Sequence, residues 1–239
     1  MSAYTDLLRN VSLFRNVREE ELDRLAALMT ERDVPKDAHI VTQSEPGDAM
    51  FVIAKGRVKV VIYGDNGREV ILTLLKTGEF FGEMALLDDL PRSANVIASE
   101  DSTVLMLRRE QFADFVEKNP PVALNVMAEL SRRLRRADEI IGNLATLDVY
   151  GRVAHIMIDL AKKDGVETEE GILIKEKPTQ QDIASMIGTS RETVSRVLSE
   201  FQRRGFVEMR GREILLSRRF AGIEGDPVPA ESEVPADAT

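Results

Sequence analysis

A chain of 239 residues, 43% hydrophobic and 31% charged with a formal net charge of −9, has the length for two modest cores and the balance of a soluble globular protein. It has no cysteine and only two histidines, His39 and His155, far apart in sequence; disulfides, thiolate metal sites and cysteine-ligated iron–sulfur clusters are excluded, and a histidine-rich metal or haem centre is not expected. With no run of about 18 apolar residues and no basic-then-apolar leader, neither a membrane span nor a signal peptide is expected, and the cytoplasm is the default compartment.

The charge is unevenly spread, at about −6 over residues 1–149, +2 over 150–220 and −5 over 221–239, so any nucleic-acid contact is expected from the second half. Residues 4–9 and 18–32 carry helical apolar spacing, the second with Leu22, Leu25, Ala26, Leu28 and Met29 on one face and three glutamates in its first turn. From Val34 to Arg108 β-branched runs alternate with turn residues, which reads as an antiparallel roll or barrel. Within it Asn66-Gly67 predicts a tight hairpin in which both residues take positive φ. A short helix over EQFADFVEKN leads into a long one over 120–148.

In that long helix Met127, Leu130, Leu134, Ala137, Ile141 and Leu144 follow one another at steps of 3, 4, 3, 4 and 3, the alternation of a seam facing a partner helix. A homodimer is the reading; packing on the helix's own domain is the alternative, and Val126, Ile140 and Leu147 off the stripe suggest a second packed face. A polar cluster of Arg132, Arg133, Arg135, Arg136 and Asp138 beside an apolar seam calls for a ligand. Past Asp148, a capping residue, an amphipathic helix and a punctuated stretch over 164–178 precede two short helices that begin at Thr179 and Ser190, with Gly188 between them. VEMR and EILLS around Gly211 read as a two-stranded wing, and the acidic Pro- and Ala-rich tail as disordered. The domains expected are thus 1–118, a β domain with flanking helices; 119–147, the long helix; 148–220, a winged helix-turn-helix; and 221–239, the tail.

A helix-turn-helix lays its second helix in the major groove. Arg191 and Arg196 offer forks that match guanine, and Glu192 an acceptor for cytosine N4, while Thr179, Gln181, Ser190 and Thr193 suit phosphate contacts. A solvated face with an internal ion pair is the plain alternative. Upstream, TGEFFGEMALLDDLPRSANV puts two glycines, Glu83, a short apolar turn and Arg92-Ser93-Ala94 in one loop, the parts of a phosphate cradle, with Glu83 an acceptor for a ribose hydroxyl.

FGEMALLDDLPRSA (81–94), GTSRETVSRVL (188–198) and RRLRR followed by GNLATLDVYGR resemble, over residues 10–220, the cyclic AMP receptor protein and fumarate–nitrate regulator (CRP/FNR) superfamily of bacterial transcription factors. The resemblance implies an α+β fold: a cyclic-nucleotide-binding β-roll, a dimerisation helix and a winged helix-turn-helix. It implies that Gly82 and Glu83 meet the ribose, that Arg92, Ser93 and Ala94 hold the cyclic phosphate, and that Arg191, Glu192 and Arg196 read palindromic TGTGA-like half-sites, with RNA polymerase as a further partner. One departure bears on the ligand. Where cyclic AMP binders place Thr-Ser against adenine, this chain has Ala137-Asp138; a carboxylate matches the two parallel donors of guanine, with Arg133 and its neighbours adding contacts. The expected ligand is therefore a cyclic nucleotide, cyclic GMP or cyclic di-GMP rather than cyclic AMP. The alternatives are an Arg–Asp pair with no ligand role, a ligand-independent regulator of the same fold, and a nucleotide-hydrolysing enzyme, for which no catalytic constellation stands out.

Overall fold

The computed structural model describes residues 4–220, which divide into two compact units, one ending at Arg136 and the other beginning at Ala137. The tail, 221–239, and the disorder expected of it lie outside the described residues.

The first unit opens with helix α1 (Thr5–Asn10), a 3-10 turn over Ser12–Phe14 and helix α2 (Glu19–Leu28). Strands β1 (Thr30–Val34), β2 (His39–Val41), β3 (Ala49–Lys55), β4 (Arg57–Tyr63), β5 (Glu69–Lys76) and β6 (Phe80–Phe81) follow. Then come a single helical turn, α3 (Met84–Leu87), strands β7 (Asn95–Ala98) and β8 (Ser102–Arg108), helix α4 (Arg109–Lys118) and the long helix α5 (Pro121–Thr146), whose residues from Ala137 on belong to the second unit. The strands form two four-stranded antiparallel sheets, β1-β8-β3-β6 and β2-β7-β4-β5.

Strand β3 shows why the roll and the helices cohere. Ala49–Ile53 is buried without a break, because alternate side chains serve two cores. Ala49, Phe51 and Ile53 point into the roll with Val34, Val58, Phe81, Val96 and Val104, and Phe51 stacks on Phe81 at 5.1 Å between centroids. Met50 and Val52 point the other way, into a cluster with Leu13, Phe14, Leu22, Leu25, Phe112, Phe115, Val122 and Val126. The first turns of α5 are therefore anchored to the roll by its own core.

Three expectations change here. The helix expected over 18–32 stops at Leu28; Met29 is extended, and Thr30–Val34 pairs with Met106–Ser102 as a strand. Leu28 is accordingly exposed, while Leu22, Leu25 and Ala26 are buried. The Asn66-Gly67 hairpin is a five-residue loop closed by Gly64 N–H donating to Arg68 O at 3.0 Å; only Gly67 has positive φ, and Asn66 Oδ1 accepts from Arg68 N–H instead. On α5, Leu130 packs against the cluster that Met50 and Val52 enter, whereas Leu124, Met127, Leu134, Ile141 and Leu144 stand 49–65% exposed. An apolar stripe thus remains uncovered on the single chain, with Leu124 in it and Leu130 turned partly away.

The second unit continues with α6 (Val149–Asp164), β9 (Gly165–Thr168), β10 (Gly171–Ile174), α7 (Gln180–Ile187), α8 (Arg191–Arg203), β11 (Val207–Arg210) and β12 (Glu213–Ser217). Asp148 caps α6, accepting from Gly151 N–H at 2.7 Å. Val153, Met157, Ile174, Ile183, Val194, Leu198, Phe201 and Phe220 form the core, with Phe201 and Phe220 edge-on at 5.3 Å. The wing has four strands rather than two, in the order β11-β12-β10-β9. Residues 165–174 pair because Ile172-Leu173-Ile174 lies against Leu216-Leu215-Ile214, and at Gly171 a Cβ would meet Leu216 O at 2.0 Å, so only glycine allows the strands to close.

Candidate functional site

In the first unit the loop from Gly82 to Ala94, the candidate nucleotide cassette, is held from inside. Gly82 has a φ of 84°, and a Cβ there would lie 2.8 Å from Arg92 Nη1. The positive φ favours glycine at this turn, and its missing Cβ leaves room for the Arg92 guanidinium. Arg92 is 93% buried by this packing, its residual exposure being 7%. Its guanidinium donates to Gly82 O at 2.8 Å and Ala49 O at 2.7 Å, lies 5.9 Å from the Phe51 ring centre, and leaves Nε without a partner among the described residues. Burial depresses its pKa, with Asp48 and Glu83 opposing. The arginine expected at the phosphate is thus turned inward, onto backbone carbonyls. Ser93 is exposed, its hydroxyl donating weakly to Met84 Sδ at 3.9 Å, and Ala94 is buried.

Glu83 starts α3 and is almost fully buried. Its Oε1 accepts from Arg133 Nη1 of α5 at 2.7 Å, while its Oε2 is buried with no hydrogen-bond partner among the described residues. Burial raises the carboxyl above its ordinary range, and Arg133 opposes this. Arg133 also donates to Phe80 O at 3.0 Å and lies over the Phe80 ring at 4.8 Å. One arginine on the long helix therefore reads the cassette's carboxylate, backbone and aromatic face together. Glu129, one turn earlier, accepts from Arg132 and Arg133 and sits 3.4 Å from the Ser12 hydroxyl.

Ala137 and Asp138 belong to the second unit and are exposed on α5. Among the described residues Asp138 makes no ion pair with Arg135 or Arg136, so the intrahelical Arg–Asp pairing considered from sequence is not formed. No group of three or more His, Cys, Asp and Glu side chains among the described residues is placed to hold a metal ion.

In the second unit α7 and α8 form the helix-turn-helix. Thr179 accepts from Asp182 N–H at 3.0 Å, while the Asp182 carboxylate accepts from Thr179 N–H and hydroxyl, a reciprocal cap. Gly188 ends α7 in the left-handed region at φ 70°, and Thr189 N–H donates to Ala184 O. Ser190 caps α8, accepting from Thr193 N–H at 3.2 Å. Val194, Val197, Leu198 and Phe201 anchor α8 in the core. This leaves Arg191, Glu192 and Arg196 on the outer face, lining a concave surface with Gln180, Ser195 and Ser199. Glu192 is held below the ordinary carboxylate range by its own backbone N–H at the helix start, then by the Ser190 hydroxyl and Arg191.

The structure thus gathers the three expected base-reading residues, while the expected phosphate contacts Thr179 and Ser190 spend their hydroxyls as caps; Gln181 is exposed and Thr193 half-buried. Gln180, Ser195 and Ser199 escape the sequence reading. Ser195 and Ser199 follow Arg191 at intervals of four, a periodicity that marks them as sharing its face.

Residues 31–119 match the cyclic nucleotide-binding domain family and residues 151–221 the Crp-like helix-turn-helix domain family. The chain is 34% identical over 184 residues to the cAMP-activated global transcriptional regulator CRP of Escherichia coli, covering 76% of this chain and 87% of that one. It is 35% identical over 202 residues to the cyclic AMP receptor protein of Thermus thermophilus, covering 84% and 90%. Its fold is that of the c-di-GMP responsive global regulator CLP of Xanthomonas campestris, with a TM-score of 0.71 at 24% identity over 84% of this chain and 99% of that one. No helix among the described residues is long and apolar enough to cross a membrane. With a glycine-turned cassette in one unit, a doubly capped helix-turn-helix in the other, and both matched over most of their length, the chain belongs to the CRP/FNR family: it is a cyclic-nucleotide-responsive, DNA-binding transcription regulator.

Proposed function

We propose that this regulator acts as a homodimer on palindromic TGTGA-like half-sites, controlled by a cyclic nucleotide that the cassette takes up. The observation that carries the ligand side is Glu83: a buried carboxylate oxygen next in sequence to Gly82, with no partner among the described residues while its twin pairs with Arg133, is an acceptor suited to a ribose hydroxyl. Arg92 and Ser93 take the phosphate once Arg92 leaves its inward carbonyls. Because a ligand shifts a two-state equilibrium only by its difference in affinity, it must favour one of these Arg92 poses, and a phosphate does so by replacing two neutral acceptors with a charged one. The uncovered stripe of Met127, Leu134, Ile141 and Leu144 supports the dimer. Arg191, Glu192 and Arg196 read the half-site, with RNA polymerase as the downstream partner.

For the base, the reading is guanine. It is assigned to Ala137 and Asp138, one helical turn beyond Arg133, where the Asp138 carboxylate has no partner among the described residues and accepts the paired donors of cyclic GMP or cyclic di-GMP. Cyclic AMP is the second reading, favoured by the names of relatives more than 30% identical. Calorimetric titration with cyclic AMP, cyclic GMP and cyclic di-GMP decides between them. Tightest binding of cyclic AMP sinks the guanine assignment, and no binding of any of the three leaves a ligand-independent regulator.

A further inference from the structure

The cassette's helical turn is held from behind by a residue that no motif marks. Arg109 is the first residue of α4, and its own N–H donates to Asp48 O at 2.7 Å. Its guanidinium then reaches three carbonyls: Gly47 O at 3.0 Å, Ala85 O at 2.6 Å and Leu86 O at 3.4 Å. It also pairs with Asp89 at 3.0 Å. Helix α3 is four residues long, so most of its carbonyls have no partner within the helix; Arg109 takes two of them. The third carbonyl belongs to Gly47, where a Cβ would lie 2.5 Å from Arg92 Nε and 2.8 Å from the Ala85 Cβ. Gly47 is therefore the floor on which the Arg92 side chain rests, and Arg109 ties that floor to α3.

We infer that Arg109 is a positioning residue for the nucleotide cassette, fixing Gly47 and α3 as one frame from which Arg92 is presented, without touching the ligand. The inference rests on the reading of Arg92 as the phosphate contact. A planar fork with five donors can meet three carbonyls and a carboxylate from one position, which a lysine's single ammonium cannot. The Asp89 pairing contributes little, because Asp89 is 88% exposed and the pair is open to solvent. The carbonyl contacts carry the role.

The test is calorimetric titration of the full chain with cyclic AMP and cyclic GMP as probes, on wild type and on Arg92→Ala, Arg109→Ala, Arg109→Lys, Asp89→Ala and the Arg92→Ala/Arg109→Ala double variant. The expected result is that Arg109→Ala weakens the tighter probe about tenfold, Arg109→Lys recovers little of that loss, and Asp89→Ala binds as wild type. In the Arg92→Ala background the same change adds less than about twofold, because a residue acting through Arg92 has nothing left to act on. Arg109→Lys keeps the charge and most of the stem, so it reports even where the alanine variant folds poorly. Weak binding by Arg92→Ala together with wild-type binding by both Arg109 variants overturns the inference alone. An equal factor in both backgrounds does the same, showing only loosened structure. Wild-type binding by Arg92→Ala overturns the phosphate reading beneath it.

Discussion

Removing Arg133 should expose how much the cassette relies on the long helix. In Arg133→Ala the Glu83 carboxylate, whose side chain is 3% exposed, loses its 2.7 Å partner while its other oxygen already has none. The Phe80 carbonyl loses its donor, and the Phe80 ring loses the guanidinium 4.8 Å above it. Breaking a fully buried ion pair from one side costs about 3–5 kcal/mol. Arg133 is 35% exposed, so water can follow where its head group stood, and the cost here is discounted to about 2–3 kcal/mol. Glu83→Gln should cost less, about 1 kcal/mol, because the stranded arginine keeps Phe80 O, Glu129 and its access to solvent. Urea unfolding monitored by circular dichroism gives both values, with an unchanged slope showing that the unfolded state is the same. The Arg133→Ala penalty should also shrink as pH falls through the raised range in which buried Glu83 takes up a proton, because Arg133 no longer opposes the effect of burial. Equal costs for the two variants, or a penalty for Arg133→Ala that ignores pH, would refute the assignment of Glu83 as a stranded buried charge.

Burial holds the Glu83 carboxyl above its ordinary range, so between the ordinary value and the raised one the folded state keeps a proton that the unfolded chain releases. Unfolding free energy therefore falls as pH rises through that window, and Glu83→Gln flattens the slope; thermal melts of both proteins across it are the check. Leu134, 65% exposed on α5, should tolerate Leu134→Lys with a change of no more than about 0.5 kcal/mol in a monomer, yet the variant should sediment as a monomer and the parent as the proposed dimer. Arg191→Ala should cost about 1–3 kcal/mol at a single G position of the half-site and relax the preference there, read by gel shift on singly altered sites. Ser190→Ala should lower stability by about 1 kcal/mol through loss of the α8 cap, whatever DNA is present.

Much of the fold is legible because local rules and tertiary packing agree. The β texture of 34–108, the capped starts at Asp148, Thr179 and Ser190, and the glycine turn at 188 each carry their own physical signal, and the structure uses each as expected. The departures are places where pairing outweighs local pattern. Thr30–Val34 has helix-compatible residues but lies against β8, whose backbone donors need a partner. Gly165–Ile174, set among acidic and turn residues, reads as a loop until β12 is present to pair with it. Leu130 fits a heptad by number, yet the cluster between the helices and the outer face of β3 claims it first.

The cassette was legible as a set of residue types but not as an arrangement. Gly82, Glu83 and Arg92 stand in one short motif, and nothing in their spacing says that Arg92 folds back over Gly82 or that Glu83 pairs with a residue 50 positions away. Backbone carbonyls decide both the Arg92 pose and the Arg109 clamp, and carbonyls have no letter in a sequence. The two arginines differ in what they hold. Arg109 satisfies the exposed ends of a short helix and gains nothing by moving, whereas Arg92 fills a glycine-walled seat with one donor still unsatisfied. A buried guanidinium with a missing partner, next to a buried carboxylate oxygen with a missing partner, is a site whose polar groups are more fully met with a ligand than without one. On the proposed reading of the cassette, that imbalance, at Arg92 Nε and Glu83 Oε2, would supply the difference in affinity that a ligand-driven switch requires.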